Sequence, residues 1–268
     1  MRTKMASAFR YVFLALVSLL SVFPLYWAFV AATNKSVDVI RGTLLPSTYI
    51  LENFKAMLNS QDIWAAMRTS FLIAAGTTLI SLIICSIAGY GFEVYHDKHK
   101  DRLMGVLLMA MMVPFAATMI PLFQMFSSMK MVNNIFAVIL PTVSTPFLIM
   151  LFRQSARSFP HEIIEAARID GLSPVGIFLR MFLPTMRSTY AAAMTIVFMN
   201  AWNNYLWPKV ILLGDILTMP MAVSNMIQGY VTDYGALMLA VLFCTLPTVV
   251  IFFFLQKSFA QGLVGSVK

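Results

Sequence analysis

Charge is scarce in this chain. Of its 268 residues only 11% are Asp, Glu, Lys or Arg, 60% are apolar, and the mean hydropathy is +0.81. Soluble domains carry about 25% charged residues, so composition excludes a water-soluble globule. Cysteine is scarcer still: Cys85 and Cys244 both fall inside apolar runs, which excludes a disulfide scaffold. The three histidines, His96, His99 and His161, lie in polar segments between those runs, leaving no intramembrane metal site or catalytic triad. The GxxxxGK[ST] phosphate loop is missing as well, so any ATP that drives this chain is held by another protein. Internal repeats and low-complexity tracts are absent, and nothing marks a domain boundary; residues 1–268 read as a single domain.

What the chain has is long apolar runs. Six stand out, at approximately 11–32, 70–92, 103–126, 134–153, 188–208 and 235–255. Each is close to the roughly 20 residues that cross a bilayer core about 30 Å thick. Hydrocarbon offers no water to exposed backbone groups, so each run is expected to be helical. The expected fold is therefore an all-α integral membrane protein with six transmembrane helices. No ionisable side chain sits near the centre of any run, which opposes an ion-coupled carrier. The first run has an apolar core longer than the 7–15 residues of a secretory signal and no convincing cleavage site, so it reads as a retained helix. The net charge of +8 follows topology rather than nucleic acid. With both termini cytoplasmic, thirteen Lys and Arg fall inside, from Arg2 to Lys268, against six outside: Lys35, Arg41, Lys55, Arg68, Lys130 and Lys209. The positive-inside rule selects that orientation.

Pro24, Pro114, Pro121, Pro141, Pro146 and Pro247 fall within the runs, and each removes a helical hydrogen bond and invites a kink. Kinks suit a rocking transporter and a static bundle equally. Thr77, Ser81, Cys85 and Gly89 recur at four-residue steps, a narrow face of small residues for close helix packing. The 21 methionines read as lipid-facing or core filler.

The inside loop at about 154–187 breaks into two short helices. Pro160 suits a helix start, Glu162 and Glu165 follow at the positive end of the dipole, and Gly171 supplies the positive φ of a helix end. Ser173 and Pro174 then read as N-cap and first turn of the next helix. Glu165 shares a helix face with Glu162 and Ile169, so a charge and an aliphatic knob project together. From the residues alone this is an amphipathic linker on the membrane surface or a docking element.

"EAARIDGLSPVGIFLRMFLP" resembles the EAA loop of permease subunits in binding-protein-dependent ABC importers: EAA, three residues, G, then a later LP. Glu165, Ala166, Ala167, Gly171, Leu183 and Pro184 fill that pattern without departure. "FPLYWAFVAATNKS", "MMVPFAATMIPLF", "MNAWNNYLWP" and "QGLVGSVK" extend the resemblance over nearly the whole chain, toward the carbohydrate-uptake branch and the six-helix subunit of maltose-type and lactose-type systems. The resemblance implies a type I ABC importer transmembrane domain in the bacterial inner membrane. It implies a homologous second permease, two ATPase subunits and a periplasmic or lipid-anchored sugar-binding protein as partners. It also implies that this chain is a transport subunit and not an enzyme, without a cofactor of its own, ATP and Mg being bound by the ATPases. Glu165, Ala166, Ala167, Asp170 and Gly171 would then couple to the ATPase: Glu165 offers a carboxylate to a cation, the alanines permit close approach, and Gly171 makes the turn.

Two further groups are candidates. Asn200, Asn203, Asn204 and Trp207 lie on one side of the fifth run, in its outer half, since Asn200 is about 20 Å above the inner end by helical rise. Amides and aromatic faces suit a sugar path; an interfacial aromatic belt with helix–helix hydrogen bonds is the alternative. In the outer segment 209–234, "ILTMPMAVSNMIQGY" is too short to span and too apolar to be fully solvated. It is either a binding-protein contact, through Met221 and Asn225, or a re-entrant cap on its own subunit. A carrier needing no ATPase and a membrane-embedded assembly or signalling subunit are the rival functions.

Overall fold

The computed structural model describes residues 2–228 and 232–265. Lys268, counted among the inside cations, and residues 229–231 of the outer segment lie outside the described residues. The described residues form helices and connecting turns, with no strand among them. In chain order these are α1 (Arg2–Ala32), α2 (Ser36–Ile40), α3 (Ile50–Ser60), α4 (Ile63–Val94), α5 (Lys98–Ala110) and α6 (Phe115–Ser128). There follow α7 (Ile135–Ile139) with a 3-10 turn at Leu140–Thr142, α8 (Pro146–Arg157), α9 (His161–Ile169) and α10 (Pro174–Ile177). A π-helical turn at Phe178–Phe182 leads to α11 (Leu183–Thr185), α12 (Arg187–Trp202), α13 (Leu206–Ile211), α14 (Met219–Ile227) and α15 (Tyr234–Gly265).

Among the described residues three single helices are long and apolar enough to cross a membrane: Phe9–Ala32 of α1, the whole of α4, and Tyr234–Gln256 of α15. Two helix pairs qualify only jointly, α5 with α6, bent by 98°, and α7 with α8, bent by 47°. The run at 188–208 does not form one continuous helix, because α12 stops at Trp202 and α13 begins at Leu206. The breaks follow the prolines. Met111, Met112 and Val113 close α5 with tight bonds to Leu108, Met109 and Ala110, and Pro114 then takes an extended ψ of 136° before α6. At the second bend Thr145 is extended and Pro146 opens the first turn of α8, where its missing N–H costs nothing. Pro24, Pro121 and Pro247 instead stay inside the continuous helices α1, α6 and α15.

The chain forms two compact units, residues 1–64 with 222–246 and residues 65–221 with 247–268. In the first, the Asn53 amide donates to the carbonyls of Ala32 and Asn34, both at 2.8 Å, and the Asn34 amide donates to Val30 and Leu45. The bond to Ala32 satisfies a carbonyl in the last turn of α1, and the bond to Leu45 ties the following loop to that end. Gly235 opens α15 against the same place: a Cβ there would lie 2.5 Å from the Asn34 carbonyl oxygen.

The second unit is organised by α4 and α8. Thr77, Ser81, Cys85 and Gly89, the small face read from sequence, are all buried. Gly89 lets the backbone of α8 lie directly on α4, and Cys85 Sγ donates to the Val143 carbonyl at 3.6 Å. One turn beyond Gly89, Glu93 accepts from Nε of Arg153 at 3.1 Å and from Nε of Arg157 at 3.2 Å. Arg153, only 4% exposed, also donates to Asp101 of α5 at 2.5 Å. A buried guanidinium between two carboxylates ties the ends of α4, α5 and α8 together. The start of α5 is fixed by Asp97, which accepts from the N–H groups of His99 and Lys100. The Lys100 ammonium and those N–H groups hold the Asp97 carboxyl at about 2, so the cap stays ionised until the pH falls to that value.

A methyl group at position 89 would meet Phe152 Cβ at 2.6 Å, Arg153 N at 2.7 Å and the Ile149 carbonyl at 2.8 Å, two of them backbone atoms that no rotamer change can move. Gly89→Ala is therefore expected to destabilise the protein by about 1–3 kcal/mol. Gly91→Ala, whose added methyl meets nothing within 4 Å, should be neutral or slightly stabilising through better helix propensity. Thermal unfolding of both variants in detergent checks the contrast; equal melting points would refute the close approach at Gly89.

Candidate functional site

Three residues, 158–160, separate the ion-paired end of α8 from α9. One face of that short helix is sunk into the protein. Ile164 and Ala167 are 3% and 2% exposed and pack with Tyr90, Phe159, Ile177 and Phe182. The other face is solvated: Glu162, Glu165, Ala166 and Asp170 are exposed, and Ile169 is 86% exposed. An isoleucine so fully in solvent beside a carboxylate is the charge-plus-knob arrangement expected from the helical spacing. The two motif alanines part company here. Ala166 lies on the open face with Glu165, whereas Ala167 fills the inner contact.

Gly171 has φ +78°, and it closes α9 as the sequence suggests. Its N–H donates to the Arg168 carbonyl at 3.0 Å, and the Leu172 N–H reaches back to Ala167 at 2.9 Å. This paired closure is the Schellman end, and Leu172 packs into the same cluster as Ala167. Ser173 then caps α10, accepting from the Gly176 N–H at 3.2 Å. Further on, Pro184 has no N–H to give the Arg180 carbonyl and its ring crowds that position. The helix widens to a π-turn, with the Leu183 N–H bonded to Phe178. The LP of the motif thus sets the register in which the loop re-enters α12.

A second site lies deeper in the same unit. A cavity of about 480 Å³ is lined by Thr77 of α4, by Met111 and Phe115 on either side of the α5–α6 break, and by Thr142, Thr145 and Phe147 around the α7–α8 break. Asn200 and Asn204 complete its polar wall. The four residues proposed from spacing are therefore divided. Asn203 is exposed and turns its amide to the Met199 carbonyl at 2.8 Å, finishing α12 rather than lining the cavity. Trp207 is fully buried, its indole N–H donating to the Ala137 carbonyl at 2.9 Å, and it packs with Phe126 and Ile211. It is a core residue, because the break at Asn203 and Asn204 rotates everything after it off the α12 face.

Met221 is likewise turned inward, 2% exposed in the cluster around Trp207, and so presents nothing to a partner. Asn225 is half-buried and Ile227 is exposed. Sequence reasoning missed Thr142, Thr145 and Phe147 at the cavity and Glu93 with Asp101 around Arg153. The prolines at 141 and 146 signalled the former; no local pattern signalled the latter. Among the described residues no group of three or more His, Cys, Asp or Glu is placed to hold a metal.

Comparison with known proteins follows this geometry. Residues 86–265 match the family described as binding-protein-dependent transport system inner membrane component. The chain is 39% identical to the lactose transport system permease protein LacG of Rhizobium radiobacter, over 100% of its own length and 98% of that protein. It is 35% identical to the arabinooligosaccharides transport system permease protein AraQ of Halalkalibacterium halodurans, covering 95% and 94% of the two chains. It is 32% identical to the sn-glycerol-3-phosphate transport system permease protein UgpE of Salmonella typhi, covering 92% of each. A chain of a bacterial ABC transporter involved in import of the acidic polysaccharide alginate shares the fold, with a TM-score of 0.83 at 17% identity over 95% and 96% of the two chains. By sequence over two thirds of its length and by fold over nearly all of it, the chain belongs to the binding-protein-dependent transport system inner membrane components.

Proposed function

We propose that this chain is the permease subunit of an ATP-driven importer that moves a sugar, a di- or oligosaccharide, from a binding protein across the inner membrane. It is a transport component and not an enzyme. The observation that carries the coupling role is α9: an exposed Glu165 and an 86% exposed Ile169 on a helix whose opposite face is buried and whose end is locked at Gly171. Such a knob suits a groove on a partner ATPase, with Glu165 meeting a cation, Ala166 allowing close approach and Asp170 at the rim. Ala167 serves from the inner side by fixing the knob to the body. The sugar reading draws on the relatives that carry lactose and arabinooligosaccharides. It draws also on the neutral polar wall that Asn200 and Asn204 share with the threonines.

In this reading the transporter contains a homologous second permease, two ATPase subunits holding ATP and Mg, and a sugar-binding protein on the outer side. Residues 1–268 act as one permease domain with six membrane crossings, the bent pairs and the α12–α13 segment supplying those that single helices do not. Closure of the ATPases displaces α9, and the helices attached to it turn that displacement into outward opening. Binding-protein docking and ATPase closure are then reciprocally coupled. The exposed end of α14, with Asn225 rather than Met221, offers the binding protein its contact.

Four outcomes test the proposal. Single cysteines at Asp97 should be labelled only from the cytoplasmic side, and those at Glu52 and Asp215 only from the outside; reversed labelling would end the coupling reading. Crosslinkers at Asn225 should capture the binding protein in a nucleotide-trapped, docked complex, and a docked complex without that crosslink would remove α14 from the interface. Glu165→Ala should weaken ATPase docking about tenfold or more, with Glu165→Lys worse through like-charge repulsion. Gly171→Val puts a β-branched residue at φ +78° and should leave insertion intact while uncoupling hydrolysis from reconstituted uptake. Wild-type transport by intact complexes of both the Glu165 and Gly171 variants would refute the coupling role of α9.

A further inference from the structure

The cavity wall has a chemistry that selects among substrates. None of its described lining residues is charged: Thr77, Thr142, Thr145, Asn200 and Asn204 supply neutral polar groups, and Phe115 and Phe147 supply aromatic rings. Its volume of about 480 Å³ falls within the range of small-molecule pockets. It also sits where the two bent helix pairs break, and irregular backbone at membrane depth is tolerated where it lines such a cavity. A phosphate or carboxylate placed there would lose its hydration and find no cation on this wall, a strongly unfavourable transfer. Sugar hydroxyls, by contrast, can both donate to and accept from amides and threonine hydroxyls, and their CH faces suit aromatic rings.

Thr77 differs from Thr78 beside it and from Thr142 across the cavity. Thr78 donates to the Ala74 carbonyl at 2.6 Å and Thr142 to the Ile139 carbonyl at 2.8 Å. Thr77 is 2% exposed, and its hydroxyl has no hydrogen-bond partner. An unpaired buried hydroxyl is unfavourable for the fold and calls for a reason. A helical threonine populates two χ1 rotamers, so a rotation at Thr77 exchanges methyl and hydroxyl at the cavity wall without backbone movement. We infer that this subunit carries a subsite for an uncharged carbohydrate, in which Thr77 is the specificity-determining residue that pairs with a sugar hydroxyl. The inference rests on the importer reading given above and narrows its substrate class.

Equilibrium dialysis of the solubilised permease–ATPase complex, without binding protein, tests it with radiolabelled lactose, arabinotriose and sn-glycerol 3-phosphate. Retention of lactose or arabinotriose, and not of sn-glycerol 3-phosphate, is expected. Thr77→Val should weaken that retention about fivefold, the loss of one hydrogen bond, while Thr77→Ser stays within about twofold of the wild type. Thr77→Val should also leave the melting point of the sugar-free complex unchanged or higher, because it removes an unsatisfied hydroxyl. A purely structural threonine would not move stability and affinity in opposite directions. Equal affinity for the Val variant, or no retention of either neutral sugar by an assembled complex, would overturn the inference and leave the importer reading standing. Preference for sn-glycerol 3-phosphate would overturn the inference and the sugar assignment, leaving only the ATP-driven importer. Failure of the wild-type chain to capture any ATPase would overturn the importer reading itself, and this inference with it.

Discussion

The seating of α8 on α4 is the contact on which the second unit depends. At Gly89 the two backbones come so close that no side chain fits between them, and the next turn of α4 brings Glu93 to Arg153 and Arg157. The steric and ionic parts reinforce each other. Close approach removes water from Arg153, and a guanidinium without water is costly unless its donors are met. Glu93 and Asp101 meet them, which fixes α5 as well. Because α9 begins four residues after α8 ends, its position depends on this junction as well as on the buried contacts of Ile164 and Ala167.

The helix breaks impose a second constraint. Several prolines fall in apolar runs, yet Pro114 and Pro146 coincide with the bends. The difference is positional: both sit in the first turn of a helix or just before it, where an extended residue and a missing N–H start a new direction. Pro24, Pro121 and Pro247 lie in helices whose neighbouring bonds persist on both sides. The bends cost two runs their continuity and border a largely apolar cavity into whose wall five neutral polar side chains are set.

Much of this was legible in the sequence, and unevenly so. The α9 loop was read nearly residue by residue, because Gly171, Ser173 and Pro174 act through their own backbone chemistry within a few positions. The small face of α4 was legible for the same reason, since spacing by four fixes a shared face. Trp207 and Asn203 were not, because periodicity carried past a helix break assigns side chains to a face that no longer exists; Met221 was not, because the apolar character of a non-spanning segment does not say which of its side chains turn inward. The six-span pattern exceeded what continuous helices supply for a related reason: hydropathy measures composition along a run, not the continuity of its hydrogen bonds. The Arg153 cluster joins residues 52 and 60 positions apart and leaves no local pattern at all.

The two sites share their scaffold. Phe147 and Leu148, at the start of α8, line the cavity, and the other end of α8 leads into α9. Helix α12 does the same in reverse, leaving the loop at Arg187 and reaching the cavity at Ile196, Val197 and Asn200. Each is a single helix, about 18 Å and 24 Å long by helical rise, and the Ser155–Thr189 hydrogen bond at 2.9 Å clamps them together near the loop. A helix of that length moves as a lever, since bending it means breaking its own hydrogen bonds. In the proposed coupling, a displacement of α9 would reach the cavity lining through both helices at once. In the same proposal the backbone that yields is at the two bends, 111–114 and 143–145, which contribute Met111 and Thr145 to the cavity lining.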